Sequence, residues 1–121
     1  MGQFYLGCAV WAYKDWVGDL FPPGSRSADF LRLYSRRLST VEGNTTFYAV
    51  PKPEVVARWA AETPEGFRFC FKLPREVSHE GPLAAQVEAT RAFVERLAPL
   101  GERLGPFFLQ LPPGYGVGRI A

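Results

Sequence analysis

Short apolar runs alternate with longer amphipathic segments along the chain, and this alternation predicts parallel strands separated by helices. Apolar runs of this length, bounded by turn residues, are typical of strands buried on both faces. The predicted strands are residues 4–9, 39–43, 67–73 and 106–111. The predicted helices are residues 27–38, 53–62 and 84–97. Because consecutive parallel strands need a connection long enough to hold a helix, the pattern predicts an α/β fold with a parallel sheet covered by helices.

Local signals mark the ends of these elements. Ser27 is the predicted N-cap of the first helix, and Pro53 suits the first turn of the second, which Thr63 and Pro64 end. The segments 74–83 and 44–53 are predicted loops. The fourth strand is followed only by residues 114–121, which contain three glycines in eight positions and are predicted to be an irregular, truncated tail. The sequence therefore predicts that the chain stops before its fold is complete.

Composition and charge narrow the class of protein. Hydrophobic residues make up 47% of the 121 positions and charged residues 21%, as in globular domains. A net charge of +2 with scattered basic residues does not favour nucleic-acid binding, and the Arg36–Arg37 pair is interpreted as a solvated last turn of a helix. No apolar stretch has the length of a membrane span, and we expect a cytoplasmic protein. Cys8 and Cys70 lie in apolar runs and are expected to be buried free thiols.

The candidate functional residues are those that follow each predicted strand, because the functional surface of a parallel α/β fold lies at the carboxyl ends of its strands. The catalytic candidates are Glu42, His79 and Lys72. The candidates for binding a substrate are Trp11, Tyr13, Asn44, Thr46, Tyr48 and Gln110. Trp16 and Phe47 belong to the same loops.

Each catalytic candidate has a structural alternative. Glu42 could act as an acid, a base or a metal ligand, or form an ion pair with Lys72 or an arginine. Lys72 could hold an anionic group or pair with Glu42, and Schiff-base chemistry is less favoured. His79 could be a pocket acid or base, or a loop histidine bonded to backbone. As the single histidine of the chain it excludes a His-rich zinc cluster, and no metal site is predicted.

The binding candidates have structural alternatives as well. Asn44 and Gln110 could orient a polar ligand or satisfy loop backbone. The loop aromatics could stack on a ligand ring or seal the end of the fold, and for Phe47 a core position is favoured. No Walker motif, G-x-S-x-G, H-E-x-x-H or dinucleotide-binding glycine pattern is present. The cofactor, if any, stays open.

Four segments in succession resemble the family called domain of unknown function 72, the YecE-like proteins. They are Gly7-Cys-Ala-Val-Trp-Ala-Tyr with Trp16-Val-Gly-Asp-Leu-Phe-Pro, Val41-Glu-Gly-Asn-Thr-Thr-Phe-Tyr, Phe69-Cys-Phe-Lys with His79, and Gly105-Pro-Phe-Phe-Leu-Gln-Leu-Pro-Pro. The resemblance implies a (βα) barrel of TIM type in members about twice as long, with a polar pocket at its top. Residues 1–121 then form a single domain that is the N-terminal half of such a barrel. Gly43 and the pair Ala9-Val10 depart from the family pattern, as does everything after Gly114.

These observations favour an enzyme of the hydrolase, lyase or isomerase type that uses acid/base chemistry on a small polar or phosphorylated substrate. One alternative is a non-catalytic protein that binds a nucleotide or single-stranded nucleic acid. Another is a truncated half-barrel without activity of its own. Because its first and last strands would be exposed edges, a homodimer that completes the barrel is a further expectation.

Overall fold

The structure of the protein is a computed structural model that describes residues 3–119. Its centre is one parallel sheet of four strands in the order β1-β2-β3-β4. The strands are β1 (Gly7–Cys8), β2 (Thr40–Gly43), β3 (Arg68–Lys72) and β4 (Leu104–Phe108). The predicted α/β class with a parallel sheet is confirmed.

Helices connect the strands. They are α1 (Phe30–Arg37), α2 (Pro53–Glu62), α3 (Arg75–His79) and α4 (Val87–Leu97). Short 3-10 turns occur at Lys14–Trp16, Ser27–Asp29, Thr45–Phe47, Leu83–Gln86, Ala98–Arg103 and Val117–Arg119. No helix between residues 3 and 119 combines the length and hydropathy that a membrane span requires.

Several boundaries differ from the prediction. The segment 74–83 was expected to be a loop, but Pro74 precedes the short helix α3, whose residues Val77 and Ser78 are buried. Ser27 begins a 3-10 turn, and α1 starts three residues later, so the predicted N-cap is wrong. Instead the Asp29 carboxylate accepts a hydrogen bond from the Arg26 N–H at 3.4 Å.

The outer strands also differ from the prediction. β1 is only two residues long, and β4 begins before Pro106 and ends at Phe108 because its register is set by pairing with β3. The tail predicted to be irregular contains a 3-10 turn at Val117–Arg119, and residues 120–121 lie outside the described part of the chain.

The core lies between one face of the sheet and the helices. Val41, Phe69 and Phe71 point to this face and are fully buried. Trp59 of α2 stacks on the rings of Phe69 and Phe71, with centroids 5.9 and 5.7 Å away. Further buried contacts come from Phe30, Leu31, Tyr34, Val56, Phe93 and Leu97. The aromatic residues of β3 are therefore the centre of the core.

The residues that the structure describes place no covering layer on the opposite face of the sheet. Along β2 and β3 buried and accessible residues alternate, as the two-residue period of a strand requires. Cys70 is partly exposed on this open face, and Cys8 is exposed. Both thiols are free, as predicted, but the prediction that they are buried is wrong because it assumed a sheet covered on both sides.

Tyr34 of α1 fastens β1 to β2. Its hydroxyl donates to the Thr40 carbonyl at 2.8 Å and accepts from the Cys8 N–H at 2.7 Å. Burial raises the pKa of this hydroxyl above its ordinary value of 10.0. A strand of two residues has few ladder hydrogen bonds of its own, so this side chain supplies part of its anchorage.

Gly43, at the end of β2, packs directly against the Phe71 ring of β3. A Cβ atom at this position would lie 2.8 Å from Cδ1 of Phe71, which is closer than carbon atoms pack. The missing side chain at Gly43 therefore makes room for the Phe71 ring in the core.

Candidate functional site

A cleft of about 370 Å³ lies at the carboxyl ends of β1 and β2. Its walls come from the two segments that leave these strands, residues 9–12 and 42–45. Two of the predicted catalytic and binding residues on the second segment, Glu42 and Asn44, meet Trp11 of the first at this cleft. Carboxyl ends of neighbouring parallel strands share one edge of the sheet, which is why residues so far apart in sequence converge here.

Asn44 contributes a buried acceptor. Its side-chain Oδ1 atom is shielded from solvent, and no hydrogen-bond donor among the described residues reaches it. A buried acceptor left without a partner costs about 1–3 kcal/mol, so such atoms are uncommon in folded proteins. Asn44 therefore lines the cleft while carrying an acceptor atom that the described residues leave unsatisfied.

Glu42 lies on the open face of the sheet and is exposed. The ion pairs found among residues 3–119 are Arg32–Asp29 and Arg91–Glu88, so the expected alternative of an ion pair between Glu42 and Lys72 is not formed. Glu42 is aligned with Cys70 of β3, which places Lys72 two residues further toward the carboxyl end on the same face. The carboxylate is free to contact a ligand.

Trp11 forms a rigid wall of the cleft. Its ring makes edge contacts with Trp59 and Phe69, at centroid distances of 5.4 and 6.1 Å. These contacts tie the loop after β1 to the core, so the ring presents an apolar surface in a fixed position.

Tyr13 lies outside the residues that line this cleft. It is exposed and makes an edge contact with Trp16 at 5.3 Å. A hydrogen bond to the Asp15 side chain, and the charge of that carboxylate, raise the pKa of its hydroxyl.

Lys72 and His79 gather around the ring of Phe47 and form a second cluster. The Lys72 Nζ atom lies 4.2 Å from the ring centroid, a cation–π contact, and the His79 ring makes an edge contact at 5.1 Å. The His79 Nδ1 atom shares a hydrogen bond of 2.7 Å with the Ser78 hydroxyl. Phe47 is buried, in agreement with its expected core position. His79 does not line the cleft that contains Glu42.

The remaining predicted binding residues lie in three different environments. The Thr46 hydroxyl is buried and lies 3.0 and 2.9 Å from the carbonyl oxygens of Gly43 and Lys72, so its role is to join the ends of β2 and β3. Tyr48 is 82% exposed and touches Phe47 by its edge. Gln110 is exposed beyond the end of β4, three strands away from Trp11.

Metal binding has no preformed cage in the described part of the chain. Within residues 3–119 no three side chains of the His, Cys, Asp and Glu type come together as metal ligands.

Three residues that the sequence did not mark as candidates also line the cleft. They are Ala9, Val10 and Thr45. Their only signal is that they directly follow a strand.

Comparison with known families agrees with this architecture. The model of a family described as "Protein of unknown function DUF72" matches residues 5–120. The chain belongs to the DUF72 family. The resemblance inferred from the sequence segments is thereby confirmed.

Two bacterial DUF72 relatives show how much of the family's length is present. The chain is 41% identical over 114 residues to the UPF0759 protein YecE of Escherichia coli K12, covering 94% of this chain and 39% of that protein. It is 29% identical over 119 residues to the UPF0759 protein YunF of Bacillus subtilis, covering 93% and 41%. The chain thus spans about two-fifths of the length of these relatives.

Crystal structures of DUF72 proteins have the same fold. A protein from Thermotoga maritima is similar with a TM-score of 0.72 and 28% identity, over 89% of this chain and 44% of that one. A protein from Enterococcus faecalis is similar with a TM-score of 0.61 and 35% identity, over 74% and 38%. The parallel four-stranded sheet is therefore consistent with half of a TIM-like barrel. No activity is established by these comparisons.

Proposed function

We propose that the protein is an enzyme that performs acid/base chemistry on a small polar or phosphorylated molecule bound at the Glu42 cleft. The observation that carries the proposal is the convergence of the unpaired Glu42 carboxylate with Asn44 and Trp11 at one cleft. A polar ligand held beside Asn44 would bring a carbon or oxygen atom within reach of Glu42. Proton transfer by a positioned carboxylate contributes about 10²–10⁴ in rate.

The other residues have roles that follow from their positions. The Trp11 ring supplies an apolar wall against which a ring or carbon chain packs. Lys72 does not line the cleft, but it shares the open face with Glu42 and makes no ion pair with the described residues. Its ammonium group can therefore neutralise a phosphate or carboxylate that extends from a ligand in the cleft. The class of reaction is then isomerase, lyase or hydrolase. His79 is assigned no step, because it contacts the Phe47 ring and does not line the cleft.

Hydrogen–deuterium exchange into candidate substrates tests the proposal. Sugars, polyols and their phosphate esters are incubated with the protein in D₂O, and loss of the proton signal at carbon is followed by NMR. We expect at least one compound to exchange. In Glu42→Gln, which keeps the shape but removes the base, exchange falls by about a hundredfold or more while binding is retained.

A matched control uses Glu88→Gln, because Glu88 is an exposed carboxylate on α4 that pairs with Arg91 away from the cleft. Its exchange rate should equal that of the unmodified protein. Equal exchange in Glu42→Gln would contradict the role given to Glu42. Saturable binding with neither proton exchange nor conversion of any compound would favour the non-catalytic binding protein instead.

A further inference from the structure

Trp11 is a shared wall of two cavities. One is the cleft at Glu42, and the other is a cavity of about 200 Å³ lined by residues of α1 and α2, among them Leu31 and Trp59. A side chain that borders open space has no close packing there to keep it in place. The position of the Trp11 ring must therefore be fixed by its remaining contacts.

Two aromatic side chains make those contacts. The Trp11 ring meets the rings of Trp59 on α2 and Phe69 on β3 by edge contacts, with centroids 5.4 and 6.1 Å apart. Trp59 is the nearer of the two rings, and it also lines the second cavity. Trp59 is thus the closer aromatic support of the cleft wall.

Trp59 is itself held firmly by the core. Its ring stacks on Phe69 and Phe71 of β3, both of which are fully buried. Val56, one turn earlier on α2, is also fully buried and fixes the helix against the sheet. A rigid path of packed side chains therefore runs from β3 through Trp59 to Trp11.

Trp59 has no direct access to a ligand in the cleft. The cleft is lined by residues 9–12 and 42–45 of the described chain, and α2 lies outside this lining. Any effect of Trp59 on a bound ligand must therefore pass through the Trp11 ring.

We propose that Trp59 is a positioning residue of the Glu42 cleft, which fixes the width of the cleft by holding the Trp11 ring. Without the Trp59 ring, Trp11 can move toward the second cavity, and the cleft becomes wider and less defined. The consequence for a substrate rests on the proposed function, whereas the position of the Trp11 ring does not.

Quenching of Trp11 fluorescence by acrylamide tests the proposal. The other tryptophans of the sequence are Trp16 and Trp59, so Trp16→Phe combined with Trp59→Phe or Trp59→Leu leaves Trp11 as the single indole. Phenylalanine keeps a ring that can stack on β3 and support Trp11, and leucine does not. We expect the quenching constant to be about twofold or more higher with leucine, because the aromatic contact that shields one side of the ring is lost.

Two further variants separate this effect from a general loosening of the protein. Trp59→Met repeats the comparison without a ring, since methionine fills irregular core space, so the test does not depend on the folding of Trp59→Leu. Phe93→Leu, added to the Trp59→Phe protein, is the matched control. Phe93 is a buried core ring of α4 that contacts Phe107, and its loss should leave the quenching constant of Trp11 unchanged.

Equal quenching with phenylalanine, leucine and methionine at position 59 would overturn the proposal. A rise in Phe93→Leu as large as that in Trp59→Leu would also overturn it, because the shielding of Trp11 would then reflect overall core packing. Neither outcome involves catalysis. Absence of proton exchange in every candidate substrate would contradict the proposed function and leave the quenching result as it stands.

Discussion

Replacing Tyr34 by phenylalanine should destabilise the protein far more than the loss of one oxygen atom suggests. The Tyr34 hydroxyl both donates to the Thr40 carbonyl and accepts from the Cys8 N–H. The Phe ring would fill the same space but leave an N–H and a C=O without their partner. Each unsatisfied group costs about 1–3 kcal/mol when buried, and these sites are partly buried, so we expect a total of about 2–3 kcal/mol.

Urea unfolding at fixed protein concentration, followed by circular dichroism, measures this loss. Fixed concentration is required because association changes apparent stability. Tyr48→Phe is the matched control, since the Tyr48 side chain is 82% exposed, and it should change stability by less than about 0.5 kcal/mol. A Tyr34→Phe variant within that same margin would refute the view that this hydroxyl anchors β1.

Three other predictions follow from the same contacts. Because burial raises the pKa of Tyr34, folding favours the protonated form of its hydroxyl. The contribution of this group to the free energy of unfolding should be constant well below pH 10 and fall as the pH rises through 10. In urea unfolding at several pH values, Tyr34→Phe should reduce the dependence of stability on pH in that range. Gly43→Ala should destabilise by about 1–3 kcal/mol, because its Cβ would meet the Phe71 ring, and adding Phe71→Leu should recover part of the loss in thermal melts. Thr46→Val should cost about 1–3 kcal/mol by urea unfolding, since the buried hydroxyl serves two carbonyl groups, whereas Thr45→Val, at an exposed position, should cost little.

Elements with strong local signals could be predicted from the sequence. The helix α2 has its predicted bounds because proline suits a first turn and Thr63–Pro64 prevents a further one. The short aromatic-rich run at residues 67–73 likewise identified β3. The helix α3 was missed because five residues are too few to show a helical period.

Features that depend on distant parts of the chain could not be predicted. The ends of β4 are set by its register with β3, which shifts between Phe69 and Phe71. The burial of the thiols was wrong because the sequence does not state that one face of the sheet is open. Nonlocal packing also determines side-chain direction, and so decides which residues of a loop reach a ligand.

The candidate site, like the fold, could be predicted only in part from the sequence. Strand order and the rule that sites lie at carboxyl ends suffice to bring Trp11, Glu42 and Asn44 to one edge, and these three residues do line one cleft. The same rule grouped Lys72 and His79 with them. Both side chains instead contact the Phe47 ring, whose position depends on core packing that the sequence pattern does not reveal.

Alkylation of Cys8 tests the central claim most directly, namely that the face of the sheet carrying Glu42 is open in this chain. Cys8 is an exposed free thiol at that face, and Cys70 is a partly buried one. The rate at which Cys8 reacts with iodoacetamide, resolved from that of Cys70 by peptide mass spectrometry, should exceed the Cys70 rate and approach that of a thiol in a short peptide. A Cys8 rate far below that of the peptide thiol would contradict the account.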